Sequence, residues 1–305
     1  MFENGELDQY QPTGDYAIKF EKEAEEGKYQ YMVTDYPGTI GLRFNFINGG
    51  TSGLMSNVKI RKAISYSIDR EEMIDAVYGR YNPAYSYVAP AITFNGSSYR
   101  SQVGEVIEDE YNEYVGDPDK IVALFQEGLD ELGVETPIED ITLTYLTSGS
   151  TTEVQAEREY IQQSLEETLG LTVELSVAGD NSLFIADRNE GNYDFFLGGW
   201  YSDYNDPLDF LYTNYTDAYG MSFGGYSNTD YDALADQLVG ETDMDKRLDI
   251  YKQMEQILLL DDCAFAPIYY ATKQVLLQNW VKDYRTSSFG ASAEFIWTYI
   301  DGKNQ

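Results

Sequence analysis

The chain has 305 residues, of which 53 are acidic and 20 are basic, and its formal net charge at pH 7 is −33. This charge repels phosphate backbones and anionic lipid headgroups, so composition argues against a nucleic-acid-binding protein. The chain has no histidine and one cysteine, which excludes Ser-His-Asp and Cys-His nucleophiles, imidazole zinc sites and an intramolecular disulfide.

The first third of the chain predicts one strand and two helices. Residues 40–47 have the apolar character of a strand, and the glycines after them lead to a helix from about Asn57. Asp69 and Glu72 have the spacing of a capping box, which predicts a second helix that ends at Gly79.

The middle of the chain contains the clearest supersecondary pattern. Asp117 and Pro118 predict the start of a helix that runs to about Leu132. A strand at 141–146, a helix from about 152 to 169 and a strand at 171–177 follow. This order predicts a βαβ crossover with parallel strands and a right-handed connection.

A helix at 182–188 and a short buried strand at 195–197 come next, and Gly198 and Gly199 are interpreted as the point where the backbone leaves that strand. In open parallel sheets, ligands bind beyond the carboxyl ends of the strands. Trp200, which directly follows the two glycines, therefore falls in a region where a ligand site is expected.

The end of the chain predicts two more helices, at 230–239 and about 245–260, and a strand at 264–271. Cys263 lies at the edge of that apolar run and is interpreted as a small core residue. No stretch approaches the roughly 18 apolar residues of a membrane-spanning helix.

The segment 192–210, NYDFFLGGWYSDYNDPLDF, carries the main functional signal. It places aromatic residues and the carboxylate of Asp203 around a turn in which Asn205 and Asp206 can bond their own backbone and Pro207 fixes φ. Without a family motif, the default interpretation of Asp203 is a residue that organises its own turn, and that of Trp200 is a core aromatic, because these are the ordinary roles of such residue types.

Residues 199–207, GWYSDYNDP, resemble the GW-x-x-D-Y-x-D-P motif of the solute-binding proteins that deliver peptides to ABC importers. VKIRKAISYSIDR at 58–70 and APIYY at 266–270 are similar to a helix and a core strand of the same family. FENGELD at 2–8 is similar to a segment that lies mid-chain in the family. The resemblance thus covers about the second half of such a protein, and we expect the chain to be a fragment.

The resemblance implies an α/β fold of the type II periplasmic-binding-protein class, in which helices flank a mainly parallel sheet. It implies that residues 1–38 are a remnant of the first lobe and hinge, that 39–272 form a second, ligand-binding lobe, and that 273–305 return to the first lobe. Without the rest of the first lobe, the last region should expose apolar surface.

The implied function is that of the peptide-binding component of an ABC importer, with no enzymatic activity and no cofactor. In the family, the aspartate that corresponds to Asp203 pairs with the α-amino group of the peptide, and backbone near the tryptophan bonds the peptide as an added strand. An arginine in the region of Arg188 can meet the carboxyl end of the peptide. The ligand-binding residues implied in this way are Asp203, Trp200, Gly199, Tyr201, Tyr204, Asn205 and Arg188.

The implied partners are a peptide, a membrane permease and the missing first lobe, with no nucleic acid. The implied state is a monomer outside the cytoplasm, either in the periplasm or as a lipoprotein on the cell surface.

Other functions stay open at the level of sequence. The 28 tyrosines would suit sugar rings, which leaves an oligosaccharide ligand within the same family. A glycosidase needs only two carboxyl groups about 5–9 Å apart, and no pair stands out. A calcium site at 203–209 matches less well, because an EF-hand requires glycine and glutamate where this chain has Leu208 and Asn214.

Overall fold

The computed structural model describes residues 1–12, 14–216, 218, 224–289 and 293–303. The strands in these ranges are β1 (Gln9–Tyr10), β2 (Gln30–Phe44), β3 (Asn82–Pro83), β4 (Thr93–Phe94), β5 (Ser97–Ser98), β6 (Thr142–Ser148), β7 (Thr172–Ala178), β8 (Phe195–Tyr201), β9 (Phe265–Leu277), β10 (Val281–Lys282) and β11 (Tyr299–Ile300).

The α-helices are α1 (Asp15–Glu25), α2 (Val58–Tyr66), α3 (Arg70–Met73), α4 (Tyr99–Val103), α5 (Glu108–Tyr114), α6 (Pro118–Leu132), α7 (Thr152–Leu169), α8 (Asn181–Glu190), α9 (Pro207–Leu211), α10 (Thr229–Gln237) and α11 (Met244–Gln256). The π-helical turns Ile74–Tyr78 and Ile257–Asp261 extend α3 and α11, and short 3-10 turns lie at Ile47–Gly49, Leu54–Ser56, Ile138–Asp140 and Tyr212–Asn214. None of the helices in the described ranges has the length and apolar character needed to cross a membrane.

The main sheet has the strand order β1-β9-β2-β8-β6-β7, and β3 pairs with β9 outside this path. Strands β8, β6 and β7 are parallel to one another, whereas the pairs β8–β2, β2–β9 and β9–β1 are antiparallel. The predicted α/β fold is confirmed. The expectation of a mainly parallel sheet holds for β8, β6 and β7, but the sheet as a whole is mixed because the two longest strands, β2 and β9, run antiparallel to each other.

The predicted βαβ crossover is also confirmed, since β6 and β7 pair in parallel over all seven residues of each strand and α7 connects them. Thr151 caps α7 by accepting a hydrogen bond from the N–H of Val154. The caps predicted at Asp69 and Asp117 accept hydrogen bonds from the N–H groups of Glu72 and Lys120. Each of these helix starts depends on a local contact, which is why the sequence predicts them.

The strands predicted at 40–47 and 264–271 are parts of much longer strands, because β2 already begins at Gln30 and β9 ends only at Leu277. Their pairing has a register shift between Asp35 and Thr39. Pro37 lies inside this irregularity, where its missing N–H removes no ladder hydrogen bond. In the sequence, Pro37 followed by glycine indicates a break between strands. The first half of β2 is therefore not predicted as a strand.

One large apolar core lies between the sheet and the helices, and Cys263 is buried in it as predicted. Phe2, Phe20 and Leu276 belong to a separate small cluster. The described part of the C-terminal region exposes several large apolar side chains, in agreement with the expectation from sequence: Phe295, Ile296, Trp297, Tyr299 and Ile300. The proposed boundaries at 38/39 and 272/273 stay predictions.

Glu157 on α7 should make stability depend on pH. Its carboxyl group accepts a hydrogen bond from the hydroxyl of Tyr78, and burial raises its pKa from the ordinary value of 4.5 to about 7. The unfolded chain therefore releases this proton at a lower pH than the folded chain does. As a result, the free energy of unfolding should fall as pH rises from about 4.5 to about 7. Glu157→Gln should remove this dependence and stabilise the chain by about 1–2 kcal/mol above pH 7, after allowance for partial exposure.

Thermal denaturation between about pH 4 and pH 8 measures this effect. The matched control is Glu159→Gln, an exposed position on the same helix, which should retain the slope of the parent chain. Parallel pH profiles for the parent chain and Glu157→Gln would contradict the assignment.

Candidate functional site

The strand that leads to the predicted site is longer than the sequence suggested. β8 continues to Tyr201, so the interpretation that Gly198 and Gly199 end the strand is wrong. At Gly199 a Cβ atom would overlap the carbonyl oxygen of Thr39 on β2. The glycine therefore permits a close approach of the two strands, and pairing continues through it.

One edge of β8 is open beyond Phe196. On one side, β8 pairs with β2 along its whole length. On the other side, β6 pairs only with Phe195 and Phe196, and no further strand of the described chain pairs with β8 there. Residues 197–201 thus present a free main-chain edge, the open edge of β8.

The main-chain groups at the open edge include those of Gly199 and Tyr201. At one end of the β2–β8 ladder, the carbonyl of Asp194 accepts a hydrogen bond from the N–H of Asn45. At the other end, the N–H of Ser202 donates to a carbonyl group of β2. Even-numbered residues therefore face β2, and because successive residues of a strand alternate, Gly199 and Tyr201 direct their N–H and C=O groups away from it.

A buried carboxylate holds the turn that follows β8. Asp209 Oδ2 accepts hydrogen bonds from the indole Nε1 of Trp200 at 2.8 Å and from the N–H of Asp203 at 2.9 Å. Asp209 is only 7 % exposed and lies in α9, which Pro207 begins and the side chain of Asp206 caps. One carboxylate thus fixes both the indole ring and the backbone at the predicted anchor residue.

Asp203 itself is exposed, and its carboxylate has no hydrogen bond or ion pair with any described residue. Tyr201 and Tyr204, on either side of it, are about half exposed. Gly199, Trp200, Tyr201, Asp203 and Tyr204 are therefore brought together at the carboxyl end of β8, five of the seven residues predicted from the sequence.

Asn205 is in the same turn, but its side chain is already engaged. Its Oδ1 accepts a hydrogen bond from the N–H of Thr93 at 2.8 Å, and its Nδ2 donates to Thr93 Oγ1 at 2.6 Å. These two bonds attach the turn to β4. Asn205 therefore positions the turn, and its role as a direct ligand contact stays a prediction.

Arg188 lies apart from the other predicted residues. Its guanidinium carbon is 5.9 Å from the ring centroid of Phe196, near the start of β8, and burial lowers its pKa. Asp203 follows Phe196 by seven residues, which corresponds to about 20 Å of extended chain. The side chains of Arg188 and Asp203 therefore belong to opposite ends of the strand.

Sequence reasoning missed Asp209 and Thr93. Asp206 and Asp209 occupy the N-cap and third positions of a helix that Pro207 begins, and this capping-box spacing is a local signal for Asp209. Thr93 offers no such signal, because it lies 112 residues from Asn205 in sequence. Its contact depends on tertiary packing alone.

Comparison with known proteins connects this geometry to a family. The profile described as "Bacterial extracellular solute-binding proteins, family 5 Middle" matches residues 1–222. The chain belongs to this family. The resemblance in the sequence is thereby confirmed.

Individual relatives point in the same direction. The dipeptide-binding protein DppE of Bacillus subtilis is 29% identical over 281 residues, which are 92% of this chain and 47% of that protein. The oligopeptide-binding protein OppA of Bacillus subtilis is 31% identical over 237 residues, which are 75% of this chain and 39% of that protein. The chain thus spans about half of the length, or less, of these relatives.

A solved structure has the same fold. OppA of Listeria monocytogenes, in a structure with bound peptide, is 28% identical and superposes with a TM-score of 0.75. The similarity covers 98% of this chain and 55% of the Listeria chain. The predicted fold class of a type II periplasmic-binding-protein lobe is confirmed.

Proposed function

We propose that this chain is the ligand-binding lobe of the peptide-binding component of an ABC importer. The observation that carries the proposal is the open edge of β8 beside the exposed carboxylate of Asp203. DppE and OppA of Bacillus subtilis are named for binding dipeptides and oligopeptides, and the Listeria OppA structure holds a peptide, which supports the same ligand class here.

An extended peptide would bind as an added strand at the open edge. The N–H and C=O groups of Gly199 and Tyr201 supply donors and acceptors that match the main chain of any peptide, whatever its side chains. Water around the side chains would satisfy their polar groups. This mode of binding accounts for acceptance of many sequences.

Asp203 would fix the direction of the peptide. A carboxylate that no described residue engages is suited to a charge-assisted hydrogen bond with the peptide α-ammonium group. The carboxylate of Asp209 accepts a hydrogen bond from the backbone N–H of Asp203, so the proposed anchor residue lies in a rigid turn. Trp200, Tyr201 and Tyr204 would contact the first residues of the peptide.

In the whole protein, the first lobe would close over the peptide, and the closed form would engage the membrane permease. The proposed protein acts outside the cytoplasm, in the periplasm or as a surface lipoprotein, and works as a monomer. It binds its ligand without making or breaking a bond.

Amide exchange of the ¹⁵N-labelled chain tests the added strand. When a saturating alanine peptide is added, exchange of the Gly199 and Tyr201 amide protons should slow by about tenfold or more, because these groups become hydrogen-bonded. Gly198 and Trp200 are the matched controls, since their amides face β2 and should change little.

Peptide binding without selective protection of Gly199 and Tyr201 would contradict the added-strand geometry. A response to oligosaccharides but not to peptides would favour the sugar-binding alternative, and cleavage of either ligand would favour an enzyme.

A further inference from the structure

Hydrogen bonds from α11 hold the turn that carries Asp203. The hydroxyl of Tyr251 donates to Oδ1 of Asp206 at 2.8 Å, and Nη2 of Arg247 donates to the same hydroxyl at 2.5 Å. The guanidinium group of Arg247 also lies 3.8 Å from Oδ2 of Asp206. Two side chains of one helix thus converge on one carboxylate at the end of the turn.

The position of Tyr251 is fixed by its surroundings. Its side chain is fully buried, and its ring packs edge-on against Phe94 and Tyr99, with ring centroids 5.5 and 6.2 Å away. Burial raises the pKa of Tyr251, and the carboxylate of Asp206 raises it further, so the hydroxyl keeps its proton and remains a donor. Close packing leaves such a ring little freedom, and its hydroxyl therefore defines one position for the Asp206 carboxylate.

Arg247 is oriented by main-chain groups. Its Nη1 donates to the carbonyl groups of Leu238 at 3.4 Å and Glu241 at 3.3 Å, at and just beyond the end of α10. The positive charge of Arg247 balances the carboxylate of Asp206. The carboxylate that the turn offers to a ligand is therefore that of Asp203.

Asp206 transmits this restraint to the rest of the turn. Its Oδ1 also accepts a hydrogen bond from the N–H of Leu208 at 2.9 Å, which caps α9, and its own N–H donates to the carbonyl of Tyr204 at 3.0 Å. Asp209, which accepts a hydrogen bond from the N–H of Asp203, lies in the same helix. A shift at the start of α9 would therefore move Asp209 and loosen the backbone at Asp203.

We propose that Tyr251 is a positioning residue for the amine anchor at Asp203. Its hydroxyl joins Arg247 to Asp206 and so keeps the Asp203 carboxylate where the peptide ammonium group arrives. The inference rests on the proposed peptide-binding function. A charge-assisted hydrogen bond depends on distance and direction, and a site is only as precise as the bonds that support it. Tyr251 thus acts on recognition of the amino group, and main-chain pairing at the open edge of β8 does not depend on it.

Tyr251→Phe tests this role, because it removes the hydroxyl and keeps the ring. Isothermal titration with tetraalanine, with a free or an N-acetylated amino end, measures the preference for the free amine. This preference should fall about three- to tenfold, the range that the loss of one hydrogen bond produces, while affinity for the acetylated peptide stays within about twofold. Arg247→Met should lower the same preference, and the double variant should lose little more than the larger single loss, because both act through one hydroxyl.

Tyr226→Phe is the matched control. The hydroxyl of Tyr226 donates to Oδ2 of Asp262 at 2.6 Å, and its ring is buried, but this pair lies outside the turn. Both variants remove a hydroxyl that donates to a carboxylate, so both should lose a similar amount of stability. Only Tyr251→Phe should lose preference for the free amine.

Amide exchange in the ligand-free chain gives a second measurement, which does not depend on a peptide. The amide proton of Asp203, bonded to Asp209, should exchange about threefold faster or more in Tyr251→Phe and should keep its rate in Tyr226→Phe. Equal weakening of both peptides in Tyr251→Phe, or an unchanged exchange rate at Asp203, would overturn the positioning role while peptide binding itself stands. If the parent chain binds neither peptide, the proposed function and the amine anchor fail, whereas the exchange rates still decide whether Tyr251 holds the turn.

Discussion

Glu255→Leu should lower the free energy of unfolding by about 3–5 kcal/mol, the range for breaking a buried ion pair by removing one partner. Glu255 on α11 is fully buried, and its Oε1 accepts hydrogen bonds from the N–H groups of Tyr87 at 3.2 Å and Val88 at 3.0 Å. Its Oε2 accepts from the hydroxyl of Tyr99 at 3.1 Å and from the guanidinium group of Arg100. The variant would leave the Arg100 charge buried without its carboxylate, although Nη1 still donates to the carbonyl of Gly104, and would leave two buried N–H groups without acceptors.

Urea denaturation measures this loss, with Asp249→Leu as the matched control. Asp249 is an exposed carboxylate on the same helix, so its replacement should change stability by no more than about 0.5 kcal/mol. A loss below about 1 kcal/mol for Glu255→Leu would mean that the network contributes little beyond what an apolar side chain supplies.

The sequence predicts those parts of the fold that depend on local contacts. The start of α6 follows from Asp117 and Pro118, and the βαβ crossover follows from the periodicity of two strands and one long helix. Each signal lies within a few residues of the structure that it specifies. Asp203 and Trp200 belong with these predictions, because the motif that contains them is contiguous.

The shape of the candidate site depends on distant contacts, and the sequence does not predict it. The open edge exists because β6 stops pairing after Phe196, while β2 continues along β8 to Tyr201. The continuation through Gly199 depends on its fit against Thr39, about 160 residues earlier. Strands are predicted from the alternation of apolar and polar residues. Glycine contributes nothing to that alternation, so the pattern does not predict the close approach of β8 to β2.

The other prediction with a large expected effect concerns the amine anchor. Asp203→Asn should weaken binding of a free-amine peptide by about 1.5–3 kcal/mol, roughly ten- to 150-fold, because the change removes the charge that faces the peptide ammonium group. Asparagine has nearly the same size, and the backbone bond from residue 203 to Asp209 does not involve the replaced atoms. Isothermal titration of the parent chain and the variant with one peptide measures the ratio of affinities.

N-acetylation of the peptide completes a double-mutant cycle for Asp203, because it removes the positive charge from the ligand side. Acetylation should weaken binding to the parent chain about as much as Asp203→Asn does, and should cost the variant little further affinity. Asp230→Asn, an exposed change on α10, is the matched control and should leave both affinities unaltered. If the two losses simply add, the ammonium group and the Asp203 carboxylate do not meet, and another acceptor holds the amino end of the peptide.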